Sequence, residues 1–361
     1  MKLYAVFIPL ALAACVGGKN VDVPDSVLPA PKLGSITLPI KPSDRLVEDK
    51  DMLNFNAGNA DEGKVVAYAF RPYSFSRSDS YRMFYQAPNG KTYALSSYTN
   101  PLLPTFGAPN RNVDTRHKGQ PTDDDGKLFV CCTSINGTHE HGGQTGYSAT
   151  QTPHLRYGVW MDAAGHADLF VGGVLADRKM LPGATADNHY TPTGKATFEL
   201  WALRAKDGMA VSSTYLPHSS ITVRDGEKSL MTVNFNTGQL VGRIVGDGSV
   251  VDKHKIGWDS ASSSLVKKEQ WQSVVHNPDF GAEIAFTGQV DGNRFHGNAM
   301  SGGVSGKLDG AFYGDENTSA RDLQVGGKFT FDGNHQLNAV FGGKAIHVNT
   351  SDTSNSLEHS D

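Results

Sequence analysis

From residue 195 to residue 341 the chain repeats one pattern eight times: a short run with apolar residues at alternate positions, mostly closed by a glycine-containing turn. The runs fall at 195–203, 230–235, 239–245, 283–290, 294–299, 307–313, 327–331 and 336–341. Asn236-Thr237-Gly238, Asp291-Gly292-Asn293 and Asp332-Gly333-Asn334 punctuate them. Alternation sends successive side chains to opposite faces of a strand, so each run has one face to bury. Within one run Ile284, Phe286 and Gly288 share a face, and Ala285, Thr287 and Gln289 share the other. Eight such strands joined by tight turns satisfy their edges by closing, which predicts an up-and-down, eight-stranded antiparallel β-barrel with an interior filled by side chains. An open sandwich with the same strand count is the competing architecture.

The preceding region has a different texture. Between residues 52 and 187 shorter strand candidates at 65–70, 81–85, 91–95, 156–160 and 167–171 are separated by long polar loops. Pro88-Asn89-Gly90 joins two of them as a hairpin turn, because Asn-Gly accepts positive φ. With 40 glycines, 17 phenylalanines and 12 tyrosines against 19% charged residues, the chain reads as all-β. The expected organisation is a sandwich-like N-terminal β domain over 52–187, the barrel over 188–348 and an unstructured tail over 349–361. Thr191-Pro192-Thr193-Gly194 marks the change. Residues 15–51, with Gly17-Gly18 and five prolines, read as a flexible tether, with a possible first strand at Ser35-Ile36-Thr37-Leu38.

The first 14 residues have the grammar of a signal peptide: Lys2, an apolar run over 3–12, and a small-residue ending before Cys15. Leu12-Ala13-Ala14-Cys15 resembles the lipobox of bacterial lipoproteins, which implies cleavage before Cys15 and lipidation of its thiol. The apolar run is too short to cross ~30 Å of hydrocarbon. Acyl chains give stable anchoring without a span. Two thiols then remain, Cys131 and Cys132, in an oxidising compartment. They are expected to be bonded to each other as the two partners left. Adjacent Cα atoms ~3.8 Å apart fall below the usual disulfide span, so the bond demands a distorted turn, and free thiols are the alternative. A net charge of −4 gives no footprint for nucleic acid.

Six motifs occur in order along the barrel region: Gly194-Lys195-Ala196-Thr197-Phe198; Val233-Asn234-Phe235 followed by Gly238-Gln239-Leu240-Val241-Gly242; Asn293-Arg294-Phe295-His296-Gly297-Asn298-Ala299; Leu308-Asp309-Gly310-Ala311-Phe312-Tyr313-Gly314; Gly326-Gly327-Lys328-Phe329; and Val340-Phe341-Gly342-Gly343-Lys344. Together they resemble the C-terminal barrel of the transferrin-binding-protein-B superfamily of surface lipoproteins. That protein has two barrels, each with a handle domain, whereas this chain has one. A single lobe behind a tether is most similar to the HpuA family of haemoglobin and haemoglobin–haptoglobin receptors. The resemblance implies a lipid-anchored protein on the outer-membrane surface that binds host haemoglobin, works beside a TonB-dependent outer-membrane transporter, and takes no cofactor of its own, the haem being carried by the partner. Direct haem carriage, as in the similar haemophilins, and a different host ligand such as transferrin stay open as alternatives.

Catalytic and metal motifs are not legible. Gly58 through Lys64 has phosphate-loop spacing but continues with Val65, where Ser or Thr would hold magnesium, and reads as a turn. Asp123-Asp124-Asp125-Gly126 lacks the alternation that aims carboxylates at calcium, and His139-Glu140-His141 lacks a third ligand. No Gly-x-Ser-x-Gly or His-Glu-x-x-His occurs, so the chain reads as a binding protein and not an enzyme. Contact residues are sought where loops are apolar. The leading segment is 98–106, with Tyr98, Pro101, Leu102, Leu103 and Phe106; capping of the first domain's core is its other reading. Trp258 and Trp271 flank a Ser-rich, Lys-containing stretch, read as a second contact loop or a long connection on the barrel wall.

Overall fold

The structure is a computed structural model. It describes residues 44–70, 80–95, 116–117, 120–122, 124–131, 152–213, 222–223, 229–262 and 264–357. In chain order the strands are β1 (Arg45–Leu46), β2 (Met52–Gly58), β3 (Lys64–Phe70), β4 (Ser80–Gln86), β5 (Thr92–Ala94), β6 (Arg116–His117), β7 (Gln120–Pro121), β8 (Lys127–Cys131), β9 (Leu155–Met161) and β10 (Ala167–Val174). There follow β11 (Lys195–Lys206), β12 (Met209–Ser212), β13 (Thr222–Val223), β14 (Ser229–Asn234), β15 (Gln239–Ile244), β16 (Val250–Asp259), β17 (Ser264–Val274), β18 (Ile284–Asp291), β19 (Arg294–Ser301), β20 (Val304–Tyr313), β21 (Gln324–Phe331) and β22 (Ala339–Asn349).

The barrel is closed. Its ladder runs β14-β15-β18-β19-β20-β21-β22-β11, and β11 pairs back onto β14, antiparallel throughout. These are the eight strands expected from the sequence. The interior is a phenyl cluster: Phe198, Phe235, Phe286, Phe295, Phe312, Phe329 and Phe341 are all buried. Their ring centroids lie 4.9 Å apart for Phe329–Phe341 and 5.4 Å apart for Phe295–Phe312. Four of these strands' rings sit across from a glycine: Phe286 pairs Gly242, Phe295 pairs Gly310, Phe331 pairs Gly306 and Phe341 pairs Gly327. A Cβ on Gly242 would lie 2.2 Å from the Phe286 ring, and one on Gly310 2.3 Å from the Phe295 ring. A barrel must bend its strands sharply, and glycine with an aromatic neighbour laid over it permits the bend without leaving a void.

The first region is a sandwich of two sheets, ordered β1-β3-β4-β5 and β2-β10-β9-β8-β7. Met52, Val65, Met83, Tyr85, Tyr93, Leu128, Trp160 and Phe170 form the core between them. One carboxylate is buried there. Asp168 accepts from Tyr85 Oη at 2.5 Å, from Asn56 Nδ2 at 3.0 Å and from the Gly63 N–H at 2.9 Å. Burial pushes its carboxyl up from the ordinary value, against those donors.

The second sheet is covered on both faces. The odd-numbered Leu155, Tyr157, Val159, Leu169 and Val171 point away from the sandwich core and pack on Trp201, Leu203, Ala311, Tyr313 and Val340 of the barrel. Glycine makes the approach possible. A Cβ on Gly342 would lie 2.2 Å from the Tyr157 ring, and one on Gly326 would meet Val171 and Leu155 at 2.9 and 3.0 Å. A polar latch sits at one end of this seam. Gln324 Oε1 accepts from the His154 backbone N–H at 3.0 Å, so its amide nitrogen, 2.9 Å from His154 Nδ1, donates to that ring nitrogen. With Nδ1 accepting there, Nε2 of His154 faces Asp315 Oδ2 at 3.5 Å, which Tyr81 Oη also approaches at 3.3 Å. Burial works to raise the Asp315 carboxyl, but His154, the Asn317 N–H and the Thr318 hydroxyl outweigh it and hold it at about 2.

Several expectations need correction. Residues 15–51 are not tether throughout: β1 pairs with β3 in register Arg45↔Ala69, and Asp44 is ion-paired to Arg82 at 2.7 Å. The supposed unstructured tail from 349 begins inside β22 and continues, as far as Leu357, in described residues. Asp352 and Ser354 receive Lys195 Nζ at 3.1 and 2.6 Å, and Asn234 Nδ2 donates to the Ser354 and Ser356 carbonyls. A Ser/Asp/Asn run that reads as solvated instead caps backbone and charge at the barrel end. The last strand starts at Ala339 rather than 336 because His335–Leu337 forms a 3₁₀ turn. β2 and β8 were not anticipated, although Gly58-Asn59 ends the one and Asp125-Gly126 precedes the other.

Candidate functional site

The largest departure from the expected barrel lies between β15 and β18. In place of a loop, β16 and β17 form a hairpin of ten- and eleven-residue strands, joined on one side by β13. At about 3.4 Å per residue the hairpin spans about 34 Å. Trp258 pairs with Leu265 near its turn, and Trp271 pairs with Lys253 nearer its root. The stretch read as a contact loop or long connection is thus a paired ribbon.

Its root is densely bonded. The Gly248 N–H donates to the Val275 carbonyl at 2.9 Å and the Val275 N–H to the Ser249 carbonyl at 2.8 Å. Ser249 Oγ donates to Glu283 Oε2 at 2.6 Å, and Arg243 Nη1 donates to the Val250 carbonyl at 3.2 Å. The returning segment, 275–283, crosses the barrel end and inserts Phe280, which is buried. Beneath it lies Arg204, near the end of β11 and 1% exposed. Its guanidinium stacks 4.1 Å from the Phe280 ring centroid. It donates to the carbonyls of Phe280 at 2.6 Å, Ala282 at 3.1 Å and Leu337 at 3.1 Å, and to Ser301 Oγ at 2.9 Å. Burial pulls the guanidinium down to about 9, so it stays charged at neutral pH. A planar fork of donors suits such a convergence of carbonyls.

Of the other sequence-chosen positions, Cys15, Tyr98, Pro101, Leu102, Leu103, Phe106, Cys132 and His139 to His141 lie outside the described residues. Cys131 ends β8, opposite Tyr157. Asp124 is tied down by protein donors: Thr122 Oγ1 and Asn89 Nδ2 reach its carboxylate, with Lys91 Nζ at 3.9 Å, which joins the two sandwich sheets at that turn. Among the described residues no three His, Cys, Asp or Glu side chains converge as a metal site. Sequence reasoning missed Arg204 and Phe280. The available signal was Phe280-Gly281 just before the 283–290 run, an aromatic in a segment with no other reason to be apolar.

Comparison with known proteins agrees with this architecture. HpuA of Kingella denitrificans in complex with human haemoglobin is 28% identical, with a TM-score of 0.65, over 92% of this chain and 100% of that one. The apo haemoglobin receptor HpuA from the same organism is 27% identical, with a TM-score of 0.64, over 92% and 99%. Transferrin binding protein B of Actinobacillus pleuropneumoniae is 16% identical over 58% of this chain and 84% of that one, with a TM-score of 0.31. Among curated proteins no relative matches. The family described as HpuA, haemoglobin-haptoglobin utilisation, porphyrin transporter, matches residues 81–256 and 272–360. With that match over most of its length, and with a sandwich and closed barrel in common with the solved members, this chain belongs to the HpuA family.

Proposed function

We propose that this chain is a receptor that binds haemoglobin at the cell surface for haem acquisition, acting beside a TonB-dependent outer-membrane transporter and catalysing no reaction. The observation that carries this reading is the likeness, over 92% of the chain, to a family member solved with human haemoglobin bound. In this reading Cys15 carries the lipid anchor, and Cys131 and Cys132 are bonded to each other. The contacts are Tyr98, Pro101, Leu102, Leu103 and Phe106, with Trp258 and Trp271 on the hairpin, since aromatic and apolar anchors dominate protein interfaces. Haem stays with the globin. The packed phenyl interior of the barrel supports that assignment over one in which the barrel holds porphyrin.

The test is biolayer interferometry of the mature Cys15→Ser chain against human haemoglobin, run with Leu102→Asp/Leu103→Asp and Trp258→Ala variants. Wild type is expected to bind and the variants to lose at least about tenfold, the size of a modest hot spot. No binding by wild type, together with a Soret band on adding free haem, would transfer the assignment to a haem carrier. Palmitate labelling reads the anchor, and thiol titration under denaturing conditions without reductant reads the disulfide: two free thiols would remove it.

A further inference from the structure

A hairpin of this length, with only the two-residue β13 described on one edge, has little stability of its own, so where it points is decided at its root. The lever is long. A tilt of about 10° at the base carries the tip of a 34 Å hairpin by about 6 Å. The root strands enter at Gly246–Val250 and leave through 275–283. On the entering side the Asp247 N–H donates to the Gly281 carbonyl at 2.7 Å, and Asp247 Oδ1 accepts from the Asn277 N–H at 3.2 Å. On the leaving side the carbonyls of Phe280 and Ala282 both point at Arg204. They flank Gly281, which adopts φ +79° and so lets two neighbouring carbonyls converge on one cation. The remaining donors of Arg204 reach β19 through Ser301 and the approach to β22 through Leu337. One side chain on β11 therefore ties the hairpin's return to two barrel elements distant in sequence. The closed barrel beneath is filled by phenyl rings.

We infer that Arg204 is a positioning residue for ligand binding, fixing the angle at which the 250–274 hairpin leaves the barrel. The inference rests on the hairpin being part of the contact surface proposed above. Its failure can be told apart from failure of that reading because the root can be observed without ligand. Hydrogen–deuterium exchange of the full mature chain is compared for wild type, Arg204→Met, Arg204→Lys and Phe280→Leu, alongside haemoglobin binding. Arg204→Met is expected to speed exchange at 246–250 and 275–283 by about tenfold or more while β19 and β20 keep their protection, and to weaken haemoglobin binding mainly through faster dissociation. Arg204→Lys, which keeps the charge but not the fork, should recover part of both effects. Phe280→Leu keeps the backbone carbonyls and serves if Arg204→Met fails to fold: it should loosen the root less and reduce binding in proportion. Root amides as slow as in wild type overturn the inference. So does a loosened root with unchanged affinity. If wild type binds no haemoglobin, the receptor reading falls, and the exchange result alone decides whether Arg204 holds the hairpin.

Discussion

The barrel presents two walls made from the same kind of strand, and they differ in what lies at the outward positions. On the wall formed by β20, β21, β22 and β11, Gly326 and Gly342 leave hollows into which Leu155, Val171 and Tyr157 of the sandwich descend, framed by Trp201, Leu203 and Val340. On the wall formed by β15, β18 and β19, the outward positions carry Val241, Ala285, Thr287, Asn298 and Met300 facing solvent, with Met300 54% exposed. The inner faces are alike, both lined by phenyl rings. The difference teaches that the barrel's interior specifies closure, while its outward residues decide which neighbour it accepts. A missing side chain is as specific an instruction as a large one, because close packing cannot absorb a new atom at 2.2 Å from a buried ring.

The contrast can be broken most severely by emptying the hollow. Tyr157→Ala is expected to cost about 4 kcal/mol in chemical denaturation, since it leaves a ring-sized void between sheet and barrel. A loss under about 1 kcal/mol would mean the seam is not a packed core. Filling the hollow comes next. Gly342→Val should destabilise by roughly 3 kcal/mol through collision with Tyr157, lowering Tm by about 5 °C. The double variant sharpens the point: its cost should fall well short of the sum, because each change relieves part of the other, and strict additivity would show that the two positions do not touch.

A smaller effect is expected at the polar end of the same seam. Asp315→Asn should cost about 1 kcal/mol at neutral pH, read by urea titration. The carboxyl is held below its ordinary value of 3.8, at about 2, so it adds stability that is complete above pH 4 and lost as pH falls through that interval. Wild type and variant should therefore converge near pH 2, and a gap that stays constant down to that pH would show a role independent of charge. On the open wall, Met300→Gln and Val241→Thr should stay within about 0.5 kcal/mol of wild type. A larger loss in either would reveal a neighbour on that wall.

Much of this was legible in the residues. The barrel strands announce themselves through apolar residues at alternate positions and, at most ends, glycine turns, and the sandwich strands 64–70, 80–86 and 167–174 do so through runs of β-branched and aromatic side chains. The hairpin was not legible. Its strands hold Lys253, His254, Lys255, Lys267 and Lys268, and such runs have no periodic apolar face to betray them. Gly326 and Gly342 were visible as family motifs, yet their purpose depends on a second sheet that arrives from 170 residues away, as the His154–Gln324 latch also does. Local pattern encodes which residues form a strand; it does not say what will be laid against it.

The seam also bears on how the chain can be cut. Cleavage at Gly194 would present the strip of Trp201, Leu203, Ala311 and Val340 to water on one fragment, and Leu155, Tyr157 and Val171 on the other. Contiguous apolar strips of that kind drive association, so the two halves should behave as insoluble partners rather than as portable modules. Foreign sequence is better borne where chain reversal is already exposed and glycine sets the geometry, at Gly292 or Gly333, where an added Cβ would meet nothing within 4 Å.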